Sequence, residues 1–516
     1  MGKASRVRNA KLAVAEIKRE QLLAQEKEAK RQKKVRIITA VVSTFLAVVF
    51  IVSLVLLNWV QASGTLLRSK TAMKTDDLSV SGTTFNYFYN YQYQNFVNNN
   101  SSYLSYYGLD TTTTLRAQTY SEEQTWFDYF LSQTQKNLNE ILILAQQAKN
   151  EGITLTDDDK AQIEDFFKTL KEAAEESDTD YEDYMALAYG KGVKEEDIRK
   201  GLELSLLSTR YYTEKIDSVE YTDKDITDYF NKNKNDFLFV DFKTYTFNPN
   251  ATDGMTDKEK EAEYDKVNKF AERLAKAKNA DEFDSILTAI LKEKDTTEEN
   301  IKTAISDTVS TKNTYDESFA VSKWAFDEGA KVNETYVYKN SNSRTVYMLT
   351  KAPYRDESET RSVRHILVSK DSYETDADAK KKAEEILAEY NKGEKTAEAF
   401  GKLAEKYTED PGSKTTGGLY AEFTEGTMVE AFEKWSFDSK RKEGDTEIVK
   451  TDYGYHVMYY VGKGRAQWQT SVEATIKDNN YTEMFEELEK KIKVTSDTKV
   501  MNDVNEIVLY TSTSNS

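Results

Sequence analysis

Apolar positions along the chain fall into two kinds of pattern: long stretches of helical period, and short apolar runs bounded by turns. One run, 37–60, differs from both because no charged residue interrupts it. As a helix its 24 residues would span about 36 Å, enough for a hydrocarbon core of roughly 30 Å. Beyond it, Phe85, Tyr89 and Tyr93, with Phe88 and Tyr91, follow the i, i+3, i+4 spacing of a helix face and predict an aromatic core stripe. A second helix is predicted over 125–150, closed by Glu151-Gly152, where glycine can take the left-handed cap. Thr156 followed by three aspartates reads as a helix start, with a capping hydroxyl and then acids in the positive first turn. Further helices are expected over 181–189, 194–212 and 222–233. The acidic runs 157–159 and 178–183 lack the glycine and terminal glutamate of a calcium loop and are expected to be solvated caps. Helical period returns at Trp468, Val472, Ile476, Tyr481, Phe485 and Leu488.

Charge and composition give the apolar run a direction. Residues 1–36 carry 12 Lys and Arg against 4 Glu, so the remainder is more acidic than the overall net charge of −18. Cationic flanks stay on the cytoplasmic side, so the bulk of the chain is expected outside, anchored at the cell membrane through 37–60. A cleaved signal peptide is the rival reading. It fits less well, because both the basic segment and the apolar run exceed the usual lengths. The acidity of the outer part argues against nucleic acid as a partner. The absence of cysteine excludes disulfides, thiolate metal sites and a lipid-modified N-terminal cysteine. At 516 residues and 39% hydrophobic content there is room for three or four domains with real cores.

The candidate chemistry is concentrated near the C-terminus. The chain has only two histidines. His365 lies in Val-Arg-His-Ile-Leu-Val and His456 in Tyr-Gly-Tyr-His-Val-Met, each flanked by apolar residues as in a short buried strand. Between them come a long helical stretch, Asp-Pro-Gly-Ser (410–413), Gly-Gly (417–418) and Gly-Thr-Met-Val-Glu-Ala-Phe-Glu (426–433). This order resembles the parvulin family of peptidyl-prolyl isomerases over 361–465. More loosely, 83–237 resembles the helical N-terminal region of SurA- and PrsA-type extracytoplasmic foldases.

The resemblance implies an α+β multidomain chain. Its parts would be a basic segment 1–36, a single N-terminal transmembrane helix 37–60, a linker 61–82, a helical chaperone-like domain 83–237, an active-type parvulin domain 361–465, a helix 466–493 returning to the helical domain, and a tail 494–516. It implies His365, Asp410 and His456 as catalytic residues. Met428 and Phe432 would form a proline slot on one helix face, with Tyr420 in the slot where the family usually has Leu, and Thr451 extending the histidine network. No metal or cofactor is called for. The implied partners are unfolded or translocating polypeptides with X-Pro bonds, and the resemblance leaves room for a homodimer. Phosphoserine-proline specificity is not expected, since no basic cluster follows His365. The rival function is a holdase whose parvulin-like modules only bind peptide.

An internal repeat adds a further module. Ser322-Lys-Trp-Ala-Phe-Asp parallels Glu433-Lys-Trp-Ser-Phe-Asp, and Val346-Tyr-Met parallels His456-Val-Met. Upstream, 242–247 resembles 363–368. Residues 238–355 are therefore expected to form a degenerate parvulin-like α+β module, with Thr244 and Val346 standing where the histidines would be.

Overall fold

The computed structural model describes residues 67–252 and 254–509. The basic segment, the apolar run 37–60, the start of the linker and residues 510–516 lie outside the described residues. Among those described, no helix is long and apolar enough to cross a membrane.

The N-terminal domain is built on helices Gly82–Asn99, Trp126–Asn150, Asp157–Glu176, Tyr181–Tyr189 and Glu195–Tyr212. Phe85, Tyr89 and Tyr93 are buried in one core with Phe127, Phe130 and Leu138. Thr125 with Asp128 and Thr156 with Asp159 each form a reciprocal capping box. The acidic run 157–159 is not wholly solvated as expected. Asp159 is buried because Arg210 of the neighbouring helix donates its Nε–H to Oδ2 at 2.5 Å.

The expected boundaries shift at both ends of this domain. Strands β1 (Thr71–Lys74) and β2 (Ser79–Ser81) pair with each other, and β1 also pairs with Thr495–Ser496. Leu67, Met73 and Val80 share the core with Val500, Val504, Ile507 and Leu509. Thus 67–82 is not a free linker, and 494–509 is not a tail. The reason lies in two buried amides. Asn86 accepts the Asn505 N–H at 2.7 Å and Asn90 accepts that of Ile507 at 3.1 Å, so side chains replace a strand partner. A small hairpin, β3 (Thr119–Ser121) and β4 (Gln124–Thr125), precedes the second helix.

Two four-stranded antiparallel sheets follow. The first contains β5 (Phe239–Phe247), β6 (Val309–Asn313), β7 (Thr335–Lys339) and β8 (Arg344–Tyr354), in the order β6-β5-β8-β7. The second contains β9 (Glu359–Ser369), β10 (Leu419–Phe423), β11 (Thr446–Thr451) and β12 (Gly454–Ala466), in the corresponding order β10-β9-β12-β11. In both, longer helices cover one face and a seven-residue helix (Ala320–Phe326 or Glu430–Ser436) covers the other.

Register corrects one expected equivalence. Thr244 faces Tyr347 across the first sheet, and His365 faces Met458 across the second. With Thr244 matched to His365, His456 (opposite Leu367) matches Thr345 (opposite Thr246), not Val346. Val346 points to the other face and packs against the long helices. Because side chains alternate, a slip of one residue exchanges the two faces.

The helix Gln467–Lys491 ties the molecule together. Its start packs Trp468, Val472 and Ile476 on Ile226, Phe230 and Phe237. Its end packs Leu488 on Ile143, Leu144 and Ala148 of the helical domain.

Candidate active site

The two histidines meet diagonally on adjacent central strands of the second sheet, on the face covered by Glu430–Ser436. His365 is 2% exposed and His456 5%. Their Nδ1 atoms lie 3.0 Å apart, a distance that holds one shared proton. His365 Nε2 lies 2.9 Å from Asp410 Oδ2 and 3.0 Å from Ser413 Oγ. At the other end His456 Nε2 lies 2.8 Å from Thr451 Oγ1, which also accepts the Tyr453 N–H.

The Ser413 hydroxyl donates to Asp410 at 2.5 Å, so its oxygen is an acceptor towards His365. Nε2 of His365 therefore faces two acceptors and carries a hydrogen. One hydrogen lies between the two Nδ1 atoms, and another between His456 Nε2 and the Thr451 hydroxyl. Thr451, His456, His365 and Asp410 form one chain of hydrogen bonds ending on a carboxylate. Burial, and then the neighbouring charge at His365, push His456 down to about 3, partly offset by Asp410, so it is neutral at ordinary pH.

Asp410 is a heavily solvated anion, but its solvent is protein. Oδ2 collects His365, Ser413 and the Tyr420 hydroxyl at 3.0 Å, while Oδ1 accepts the Gly412 N–H at 3.1 Å. Burial opposes its ionisation. The hydrogen bond and charge of His365 and the hydroxyls of Ser413 and Tyr420 outweigh it, holding the group well below the usual carboxylate range. The loop 408–418 presents this anion. Gly418 lies in the left-handed region at φ +73°, and a side chain there would strike the His365 carbonyl.

An apolar wall stands beside the anion. Phe432 is buried, with its ring edge-on to both imidazoles at 5.4 and 5.5 Å between centroids. Tyr420 and Met428 pack on the same cluster, which includes Phe423, Trp435 and Met458. All seven expected site residues thus converge, though not all as expected. Met428 does not share a helix face with Phe432, because the helix begins at Glu430 with Val429 as its cap. Tyr420 contributes its hydroxyl to Asp410 as well as its ring to the wall. Ser413 was not singled out from the sequence. Its signal was the place of a hydroxyl three residues after Asp410 in a turn, which puts it within reach of that carboxylate.

The first sheet lacks this arrangement. The helix Glu298–Ser306 reaches β6 through Asp307 and Thr308 alone, where the second sheet has 408–418. The backbone still superimposes in kind: Thr308 O accepts the Thr244 N–H at 2.7 Å, as Gly418 O accepts that of His365 at 2.8 Å. Phe319 lies on Tyr338 and Tyr347, with centroids 5.1 and 6.1 Å apart, and fills the corresponding face.

Comparison with known proteins agrees with this geometry. The PPIC-type PPIase domain family matches residues 347–463. Foldase protein PrsA 1 of Listeria innocua is 35% identical over 127 residues, covering 25% of this chain and 39% of the relative. Foldase protein PrsA of Geobacillus kaustophilus is 36% identical over 114 residues, covering 22% and 34%. This chain therefore spans well under half the length of these relatives. The crystal structure of PrsA from Bacillus subtilis matches at 21% identity and a TM-score of 0.20, covering 58% of this chain and 87% of that one. Residues 347–463, which hold most of the histidine-bearing sheet, are accordingly similar to the PPIC-type PPIase domain, and over that part the chain resembles the PrsA foldases.

Proposed function

We propose that the chain is an extracytoplasmic foldase that isomerises X-Pro bonds of unfolded polypeptides at its second sheet. The observation that carries this reading is a half-buried carboxylate, fixed by three donors on one oxygen, beside an apolar wall that includes Phe432, Met428 and Tyr420. Rotation about the peptide bond faces a barrier of ~18–20 kcal/mol, which comes from amide resonance. Resonance places negative charge on the carbonyl oxygen of the planar amide. A fixed anion beside that oxygen disfavours the planar form and so favours the twisted one. Phe432, Met428 and Tyr420 would hold the ring, and the Thr451–His456–His365 chain would keep Asp410 ionised and still. No bond is made or broken.

The first sheet serves in this reading as a degenerate, non-catalytic module. It keeps the strand order, but Thr244 and Thr345 stand for the histidines and the carboxylate loop is reduced to two residues. The basic segment 1–36 and the apolar run 37–60 support a single-pass anchor with the N-terminus in the cytoplasm. The clients would then be chains leaving the membrane.

The test is refolding of a proline-limited protein with the full chain in lipid nanodiscs. Catalysed refolding is expected, with loss of the catalysis in Phe432→Ala. Unchanged catalysis in a folded Phe432→Ala protein would remove the slot.

A further inference from the structure

The edge strand β10 carries Tyr420 and Phe423, and both rings lean on Phe432, with centroids 6.3 and 6.1 Å away. They are three residues apart, and in a regular strand such side chains point to opposite faces. An extra residue resolves this. Tyr420 pairs with Val363 and Phe423 with Arg361, so Ala421 and Glu422 together oppose Ser362. The result is a β-bulge, which re-aims the side chains beyond it. Glu422 within it lies in the left-handed region at φ +46°, where an L side chain is strained. The bulge is what puts two residues of the apolar wall on one face.

Glu422 is held there from two sides. Its N–H donates to Ser362 Oγ at 3.0 Å. Its carboxylate accepts the backbone N–H and the Nε–H of Arg465, on β12, at 2.9 Å each, and the Nη2–H at 2.5 Å. Gly464 leaves room for this approach, since a side chain there would strike Glu422 Cγ and Thr360 Oγ1. Arg465 is itself fixed, because Glu473 of the helix Gln467–Lys491 takes its Nη1 at 2.6 Å. The first sheet contains the same device with the charges exchanged. Lys312, at φ +52°, lies in the matching bulge between Ser310 and Asn313 of β6, and its ammonium meets Asp356, just past β8, at 2.6 Å. A device rebuilt from opposite charges marks the ion pair as what fixes the bulge. In the first sheet the bulged strand carries no site residue. In the second it carries Tyr420, whose hydroxyl lies 3.0 Å from Asp410 Oδ2.

We propose that Glu422 is a positioning residue for the isomerase site, setting the Tyr420 hydroxyl on Asp410 through the bulge that its pair with Arg465 holds. Of the two side chains that the bulge aims, Tyr420 is the more sensitive. A hydrogen bond weakens steeply with distance and angle, whereas ring contacts hold over a range of centroid separations. Loosening the pair therefore costs Asp410 its hydroxyl donor before it costs the wall its rings. The kinetic consequence rests on the isomerase reading, but the positioning has a readout of its own.

The kinetic test is a double-variant cycle on cis–trans exchange of a short X-Pro peptide, with the full chain in nanodiscs. Glu422→Ala and Tyr420→Phe should each lower kcat/KM about tenfold. Arg465→Met breaks the pair from the other strand, should match Glu422→Ala, and reads the same effect should Glu422→Ala unfold. Adding Glu422→Ala to Tyr420→Phe should cost less than about a further twofold, because the two act through one bond. Glu422→Gln keeps an acceptor for Arg465 and should stay within about threefold of the native chain. Unchanged kcat/KM in Glu422→Ala and Arg465→Met overturns the proposal, as does a full tenfold addition in the double variant, which would make the pair merely structural. The second readout is the nitrogen NMR spectrum of the two imidazoles, which are the only ones in the chain. Tyr420→Phe removes a donor from Asp410 and should displace the His365 signal, and Glu422→Ala should displace it in the same direction. A native position of that signal in a folded Glu422→Ala chain also overturns the proposal. A shared displacement in a chain without isomerase activity would leave the positioning standing while the isomerase reading fell.

Discussion

The two sheets share strand order, backbone register and the covering short helix, yet only the second sets histidines and a carboxylate together beneath that helix. In the second, 408–418 carries Asp410 and Ser413 over the strand ends, and Gly418 lets the loop return against His365. In the first, two residues make the same connection and the central positions are Thr244 and Thr345. The scaffold holds in both because its stability comes from the apolar faces, such as Tyr245, Phe247 and Val346 in one and Ile366, Val368 and Val457 in the other. The chemistry depends on a loop and two side chains that the apolar faces do not require.

The largest expected effect comes from making the second sheet like the first. Replacing 408–418 by Asp-Thr should remove catalysis of X-Pro exchange by about 10²-fold or more, the scale of losing a preorganised charge. Amide exchange of β9 and β12 should stay protected, as in the first sheet. Loss of that protection would mean the loop is structural and the comparison fails.

A smaller effect is expected from His365→Ala. It leaves Asp410 with one donor fewer and His456 Nδ1 without its partner, at a cost of about 1–3 kcal/mol for each buried group left unpaired. Thr244→Ala in the first sheet removes no hydrogen-bonded network and should cost less. Denaturant unfolding followed by hydrogen exchange in each sheet would compare them.

The smallest effect is a pH dependence confined to one sheet. His456 is depressed from 6.5 in the unfolded chain to about 3. Its contribution is full above pH 6.5 and is lost as pH falls towards 3, because the unfolded chain binds the proton first. At pH 5 the second sheet should lose about 2 kcal/mol relative to pH 7. His456→Gln should abolish this slope. The first sheet has no histidine and should show no loss over the same interval. An equal slope in both sheets would place the titrating group elsewhere.

Much of this comparison was legible in the sequence because both sheets keep their apolar faces. The paired Trp-Ser/Ala-Phe-Asp motifs and the histidine-bearing runs located the modules, and helix caps such as Thr125 and Thr156 marked starts within a residue. The misplaced Val346 shows the limit. Aligning Met348 with Met458 is one residue off, and in a strand one residue turns the side chain to the opposite face. Asp159 and the 494–509 segment were missed for another reason: their partners, Arg210 and the Asn86–Asn90 pair, are distant in sequence. The convergence of Tyr420 on Asp410 was likewise hidden, since a departure from Leu signals a changed wall but not a hydroxyl aimed at a carboxylate.

The central claim is that all catalysis depends on the anion of the second sheet. It is tested most directly by the cis–trans exchange rate of a short X-Pro peptide, measured by exchange NMR with the full chain carrying Asp410→Asn. The substitution keeps the shape and removes the charge that His365, Ser413 and Tyr420 hold in place. Exchange is expected to fall close to the uncatalysed rate, with the fold intact by hydrogen exchange. Exchange as fast as in the native chain would contradict the account and return catalysis to the apolar wall or to the other sheet.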